Sequence, residues 1–449
     1  MIKKYSKIVR SGISTLIKKG AMHILIGSFV VKFVAMFSSA FYSRLFEKGD
    51  YGVLGYVENL FGYALLIAGL GLTNAVYRFV VKADSMEKKL SYYSFAVKRA
   101  FLYDLIITVL AMGFFAFIYP HNPDFSRARY LMAIILLALP FQSLFNTSLA
   151  CLRSLYDNKR YAVYSCVSSI AFILMKFLFA YLFSLDGVFF ARGIVYFVFA
   201  ALMLFVLRKK HFAGASVFKA QPLTTAEKKE VHSYSFQYMI TNGIWHLFAL
   251  NEVMMLGWFG TDVDVANYRV AMILPSCLSL LSSAISIFVT PYFIKHENDH
   301  KWVRSTLAKT IIAISLLVVP AGILMCVLGR WLLNIYNPAY VDVTPLMCVL
   351  VLSASVNLIF RSNIANVLAA TGKITSNMIV SFGGVALQML TIIFFTGKFG
   401  AFGIAWTSVG LYVLMTIALI FPFNKFFGRK TDTLPGGTKS DGSIDNQQV

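Results

Sequence analysis

Long apolar runs alternate along this chain with short polar breaks. Runs of about twenty residues with scarcely a charge keep recurring, and a helix of about twenty residues crosses the roughly 30 Å hydrocarbon core of a bilayer. About twelve such runs can be placed, at approximately 23–45, 53–77, 95–118, 130–151, 161–183, 188–207, 234–257, 266–292, 305–328, 343–366, 375–397 and 400–424; they are numbered spans 1 to 12. The pattern predicts an all-α polytopic membrane protein.

The longest internal polar segment, Arg208 to about Ser233, divides the spans into two sets of six. Because six is even, both sets start on the same side of the membrane. A repeat between them is therefore parallel, with a pseudo-twofold axis along the membrane normal. The expected organisation is an N-terminal lobe over 1–207, a cytoplasmic interlobe linker over 208–233, a C-terminal lobe over 234–424, and a tail over 425–449 whose Pro435-Gly-Gly and mixed polar residues read as disordered. Ahead of span 1, Ile2, Tyr5, Val9, Ile13 and Leu16 recur at helical spacing among Lys3, Lys4, Lys7 and Arg10. That segment is either an interfacial amphipathic helix or an ordinary basic tail. The run after it is too long for a signal-peptide core of roughly 7–15 residues, so it is expected to be retained as a membrane helix.

A weak repeat accompanies the division. Asp50-Tyr-Gly-Val-Leu-Gly-Tyr56 enters span 2, and Asp262-Val-Asp-Val-Ala-Asn-Tyr268 enters span 8; aligning the tyrosines also aligns Asp50 with Asp262 and Val53 with Val265. A second correspondence joins Leu149-Ala-Cys-Leu-Arg153, with Asn158-Lys159 beyond it, to Val367-Leu-Ala-Ala-Thr-Gly-Lys373.

Composition agrees with a lipid-embedded body: 58% hydrophobic residues, 14% charged, and a mean hydropathy of +0.70, against about 25% charged in soluble domains. A net charge of +21 would raise the question of nucleic acid in a soluble protein. Position settles it, since of the 41 Lys and Arg roughly 30 fall on the side of the termini, about six on the other and about five within spans. The charge serves topology and anionic lipid head groups, nucleic acid is not an expected partner, and both termini are expected in the cytoplasm. The five cysteines lack C-x-x-C spacing and lie in or beside apolar runs, so neither a metal nor a cofactor is expected. No G-x-x-x-x-G-K-[ST] sequence occurs, which leaves downhill, potential-driven, ion-coupled or partner-powered transport.

The basic N-tail, Phe41-Tyr-Ser-Arg-Leu-Phe46, Asp50-Tyr-Gly-Val-Leu-Gly-Tyr56 and Gly69-Leu-Gly-Leu-Thr-Asn-Ala-Val-Tyr-Arg-Phe79 together resemble the Wzx-type polysaccharide biosynthesis flippases. These belong to the multidrug/oligosaccharidyl-lipid/polysaccharide exporter superfamily. In span count and lobe layout the resemblance covers essentially the whole chain, and it is sharpest in the first eighty residues. It implies a V-shaped pair of six-helix bundles alternating access to a central cavity. Its cargo would be a lipid-linked oligosaccharide or repeat unit on undecaprenyl diphosphate, moved to the outer leaflet of the bacterial inner membrane for a surface polysaccharide such as O-antigen. Membrane lipids, H⁺ or Na⁺ as coupling ion, and a polysaccharide polymerase and glycosyltransferases would be its partners.

A diphosphate and a sugar chain need a polar, cationic path through hydrocarbon. An isolated charge at a helix centre costs about 2.5–3.5 kcal/mol on insertion scales, so embedded cations usually face a cavity or a partner. The substrate-binding candidates are Lys32 near the middle of span 1, Arg269 in span 8, Arg192 in span 6, Arg361 in span 10 beside Asn357, Asn363 and Asn366, and Arg78, where the family often carries a cation. Lys176 in span 5 reads as snorkelling to the interface, and Arg44 as interfacial. The coupling or gating candidates are Glu58, Glu252 and Asp104. In the repeat Glu58 falls within one residue of the position matching Arg269, so the two can pair across the cleft, whereas Lys98 and Arg99 offer Asp104 a structural ion pair. Pro140, Pro275, Pro320, Gly62, Gly69 and Gly71 are candidate hinges. A cation-coupled multidrug antiporter of the same fold is the alternative and would want an acidic cavity. A membrane-embedded glycosyltransferase or polymerase would need a larger polar loop, and a lipid scramblase remains open.

Overall fold

The computed structural model describes residues 37–118, 122–212, 214–215, 217 and 220–428. Lys32, the basic amphipathic segment, most of span 1 and nearly all of the tail lie outside the described residues. Nearly everything described is helical, and no strand occurs among the described residues. Span 1 ends in a helix over 37–45. Span 2 is Lys48–Lys82, span 3 begins at Met86, and span 4 is Pro123–Leu136 followed by Leu139–Ser154 across a 45° bend, with Pro140 in the first turn of the second piece. Span 7 is Thr225–Phe259, span 8 Asp262–Lys295, span 9 His300–Val327 and span 10 Pro338–Ala370. Pro275 and Pro320 lie inside unbroken helices.

Spans 5 and 6 form one 53-residue helical run, Asn158–Lys210, and spans 11 and 12 a 54-residue run, Ile374–Phe427. At 1.5 Å per residue either would be about 80 Å long, far beyond a bilayer. Each folds back at a single residue, Ser184 (φ 55°, ψ −140°) and Gly400 (φ 54°, ψ −135°). A Cβ placed on Gly187 would run into the carbonyl of Phe179, and one on Gly403 into that of Phe395. Residues eight apart in a straight helix are about 12 Å apart, so these approaches require reversal. The two turns repeat one pattern, Phe179, Phe183, Ser184, Gly187 and Phe395, Phe399, Gly400, Gly403. Counted this way, eleven spans plus the end of span 1 are described, in two sets of six.

Polar residues set the helix ends. Thr224 with Glu227 and Thr261 with Asp264 form capping boxes that start spans 7 and 8. Ser85, Asp157 and Asp299 cap spans 3, 5 and 9. The box at Thr224 starts span 7 nine residues before the apolar run suggests, because caps rather than hydropathy mark a helix start. Asp50 and Asp262, paired by the sequence repeat, sit in the first turns of spans 2 and 8, where the helix dipole favours a carboxylate.

The two ends of the bundle differ in charge and in packing. Toward the cation-poor end one apolar core runs through both lobes, joining Tyr51, Phe61, Leu131 and Phe189 to Leu256, Val265, Tyr340 and Ile404. Toward the cation-rich end there are separate cores, one around Val76, Tyr93, Leu152 and Met203 and another around Val303, Leu368 and Leu419. Of the described residues of the C-terminal lobe, only the start of span 7, through Val231 and Tyr234, joins the N-terminal core. Highly exposed Val109, Leu110, Leu316, Ile323, Val327, Leu390 and Phe421 form the lipid-facing surface.

Candidate functional site

The lobes are tied at the cation-poor end. Gly49, Gly52 and Gly55 on one face of span 2 lie against Asp262 and Arg269 of span 8, so closely that a Cβ on Gly52 would strike the Asp262 carbonyl. Small residues at i, i+3 and i+6 permit that approach. Asn122 donates to the carbonyls of Gly257 (3.0 Å) and Gly260 (3.1 Å). Arg44, expected at the interface, is exposed at the end of span 1 and donates to the Tyr336 carbonyl at 2.8 Å and to that of Ile335, and Asn337 donates to the Ser43 carbonyl. At the cation-rich end, Lys88 pairs with Glu227 at 2.6 Å, Arg78 lies 4.5 Å from the Tyr234 ring centroid, and Tyr92 donates to Glu227 at 3.4 Å. Lys88 and the Thr224 backbone N–H hold the Glu227 carboxyl down at about 2.

Beneath the glycine face lies a cluster of four charges. Glu58 of span 2 accepts from Lys176 Nζ of span 5 at 2.8 Å and from Arg269 Nη2 of span 8 at 3.1 Å, while Arg192 Nη2 of span 6 stands 3.5 Å from its Oε1. Lys176 and Arg192 lie eight residues before and eight after the Ser184 turn, so the hairpin brings them to one level. From the helix starts and that turn, all four lie about 10–15 Å below the cation-poor ends, well inside the hydrocarbon depth. Aromatic faces complete the shell: Phe172 lies 5.1 Å from both Lys176 and Arg192, Tyr42 5.0 Å from Lys176, Phe61 4.9 Å from Arg192 and Tyr51 5.6 Å from Arg269. Arg269 Nη1 is buried with no hydrogen-bond partner among the described residues.

One carboxylate balances one of three cations, so the cluster keeps a surplus of two positive charges. The expected pairing of Glu58 with Arg269 across the lobes is present. Lys176 does not snorkel: at 7% exposure it is held inward by Glu58, because an ion pair with a partly buried carboxylate outweighs a stretched path to the interface. The equivalent positions eight residues either side of Gly400 are Ile392 and Ser408, so the C-terminal hairpin carries no matching charges.

The other candidates stand apart from this cluster. Arg361 is 2% exposed inside the C-terminal lobe, 3.4 Å from Ser381 Oγ and 5.7 Å from the Phe248 ring. Arg78 sits at the cation-rich end against span 7. Glu252 is 4% exposed and accepts from Tyr268 (3.0 Å) and Ser408 (2.5 Å), with no cation among the described residues in hydrogen-bond reach. Beside it Asn251 bonds Tyr63 of the N-terminal lobe and Gln388.

Asp104 is fully buried and accepts the Gly69 backbone N–H at 2.7 Å, in place of an ion pair with Lys98 or Arg99. There Gly69, Leu70 and Gly71 take φ of 55°, 45° and 78° and break span 2. A broken helix leaves amides without intrahelical acceptors, and the carboxylate satisfies one. Of the candidate hinges, Gly69 and Gly71 are therefore at a real break, while Gly62 packs on Leu250.

Two cavities lie on either side of the cluster along span 2. One of about 430 Å³ lies at the cation-poor end, between the 122–132 segment and the end of span 7, and is mostly apolar. Another of about 230 Å³ lies between the lobes beside the break in span 2.

Comparison with known proteins agrees with this architecture. An uncharacterized membrane protein of Methanocaldococcus jannaschii is 23% identical over 430 residues, covering 91% of this chain and 84% of its own. An inward-facing multidrug resistance MATE family transporter of the MOP superfamily aligns with a TM-score of 0.71 at 14% identity, over 90% of this chain and 96% of its own. The lipid II flippase MurJ in an inward closed conformation aligns at 0.70 and 15% identity, over 90% and 88%. A MOP superfamily transporter from Pyrococcus furiosus, described by a reverse polarity of its binding pocket, aligns at 0.63 and 13% identity, over 91% and 94%. These structures share the twelve-helix, two-lobe fold. The polysaccharide biosynthesis protein model matches residues 41–345, which take in spans 2 to 9 and every member of the charge cluster, and the chain belongs to that family.

Proposed function

We propose that the protein is a flippase that moves a lipid-linked oligosaccharide, carried on an isoprenyl diphosphate, from the cytoplasmic to the outer leaflet by alternating access. The observation that carries this reading is the surplus of two positive charges around Glu58 at hydrocarbon depth. A diphosphate brings the missing anions, and the guanidinium forks of Arg192 and Arg269 suit its oxygens. Glu58 stands in for the cargo until the cargo displaces it. Lys32 is assigned to the same path from its place in span 1.

The charge bias supports a cytoplasmic position for the cation-rich end and both termini, and the membrane of this reading is a bacterial inner membrane. The joined ends then face outward and the separate cores inward, the arrangement that would receive cargo from the cytoplasmic leaflet. Glu252 and Asp104, buried without a cationic partner among the described residues, are the groups we assign to H⁺ or Na⁺ coupling. A polymerase and glycosyltransferases would act after and before this step. A multidrug antiporter for cations would place its cargo against the same cluster, whose sign opposes it.

The test is export in cells that make a surface polysaccharide. Arg269→Ala, Lys176→Ala and Lys32→Ala should each insert normally yet lose export, with lipid-linked intermediate accumulating on the cytoplasmic leaflet. Normal export by the Arg269 and Lys176 variants, or unchanged glycan with raised sensitivity to cationic drugs, would overturn the reading.

A further inference from the structure

The cavity beside the span 2 break differs from the charge cluster in every chemical respect. Its polar wall is Thr73 and Asn74 from span 2, Ser143 and Asn146 from span 4, and His246 from span 7, faced by Met239. Among the described residues no carboxylate, lysine or arginine lines it. Asn74, Asn146 and His246 make no side-chain hydrogen bond among the described residues, although each stands on a membrane span. Amides and imidazoles at that depth are costly unless they face a partner or a cavity, so these three hold unspent donors and acceptors for something that enters. The wall that carries them is fixed: Thr73 bonds Thr147 at 2.7 Å, and Asp104 holds the adjoining Gly69.

We infer that this cavity is the subsite for an uncharged sugar of the cargo, and that Asn74, Asn146 and His246 determine which glycan is carried. The inference rests on the flippase reading. A neutral polar lining with aliphatic patches matches a pyranose, whose edges bear hydroxyl or acetamido groups and whose faces are apolar. At about 230 Å³ the space is below the roughly 300–1,000 Å³ of a drug-sized pocket and suits a single ring. Its near edge at Leu65 is seven residues along span 2 from Glu58, about 10 Å. A diphosphate at the cluster can therefore place its first sugar here. His246 comes from the opposite lobe to the two asparagines, so a bound ring touches both lobes, and recognition of the sugar is tied to their relative position.

The experiment uses the full chain in nanodiscs with two probes, a short isoprenyl diphosphate and the same lipid bearing one N-acetylhexosamine. The wild type should bind the glycosylated probe about tenfold tighter, the worth of one or two neutral hydrogen bonds. In Asn74→Ala/Asn146→Ala that advantage should vanish, with the bare diphosphate bound as before. His246→Ala serves as an independent single variant should the double variant misfold. A wild type that does not prefer the glycosylated probe, or variants that keep the preference, would overturn the subsite. Failure of Arg269→Ala to weaken the bare diphosphate probe would instead strike the flippase reading and leave the sugar preference standing as measured. Binding of neither probe would refute both.

Discussion

The charge cluster makes an unusual forecast, that removing its carboxylate strengthens ligand binding while weakening the empty protein. In Glu58→Gln the side chain keeps its shape but loses its charge, leaving Lys176, Arg192 and Arg269 facing one another without a counter-ion. Removing one partner of a buried ion pair costs about 3–5 kcal/mol, so the unliganded variant should unfold at clearly lower temperature. An incoming diphosphate in the wild type must first displace Glu58, and at minimum gives up its charge-assisted bond to Arg269. Such a bond is worth about 1.5–3 kcal/mol net. Without that competition the variant should bind an isoprenyl diphosphate about 10- to 150-fold tighter. Calorimetric titration in nanodiscs at one fixed salt concentration measures the affinity, and thermal unfolding with and without ligand measures the stability. Export should fall, because cargo held more tightly leaves more slowly. Diphosphate binding no tighter than wild type, with an unchanged unfolding temperature, would refute the cluster as an anion site.

Two further outcomes concern the frame around the site. Ser184 adopts the backbone conformation that Gly400 adopts in the matching turn, and a positive φ costs a residue with a Cβ about 1–3 kcal/mol. Ser184→Gly should therefore raise the unfolding temperature and Gly400→Ala lower it; opposite signs would show that the turns do not set the hairpins. The interlobe pair Lys88–Glu227 depends on a carboxylate whose pKa is lowered from 4.5 to about 2, so its contribution is complete above about 4.5 and is lost as pH falls toward 2. The stability difference between wild type and Glu227→Gln should shrink over that acid range, and a difference that grows on acidification would contradict the pairing.

Much of this was legible in the chain. Apolar run length implies spans, the break at Arg208 implies two lobes, and the Asp50/Asp262 repeat places Glu58 and Arg269 at comparable depth, which permits their pairing. Each is a property of distance along one helix, and helix rise converts sequence number into depth. A sharper reading of the same kind would also have brought Lys176 and the candidate Arg192 to one level, since both lie eight residues from the turn at Ser184, a turn whose phenylalanine and glycine pattern recurs at Gly400.

What depth does not decide is direction. In a lipid-embedded helix the core face and the lipid face are both apolar, so periodicity carries little of the orientation that it carries in water. Only packing decides that Lys176 turns toward Glu58 rather than toward the interface, and that Arg361 turns into its own lobe. The same holds for Asp104: no spacing relates it to Gly69, because the unpaired amide that it satisfies exists only where span 2 breaks against spans 3, 4 and 7. The sequence by itself determined how many helices cross the membrane and how deep each charge lies; the tertiary structure alone decided which charges meet, because a lateral contact depends on the rotation and neighbours of a helix and not on position along it.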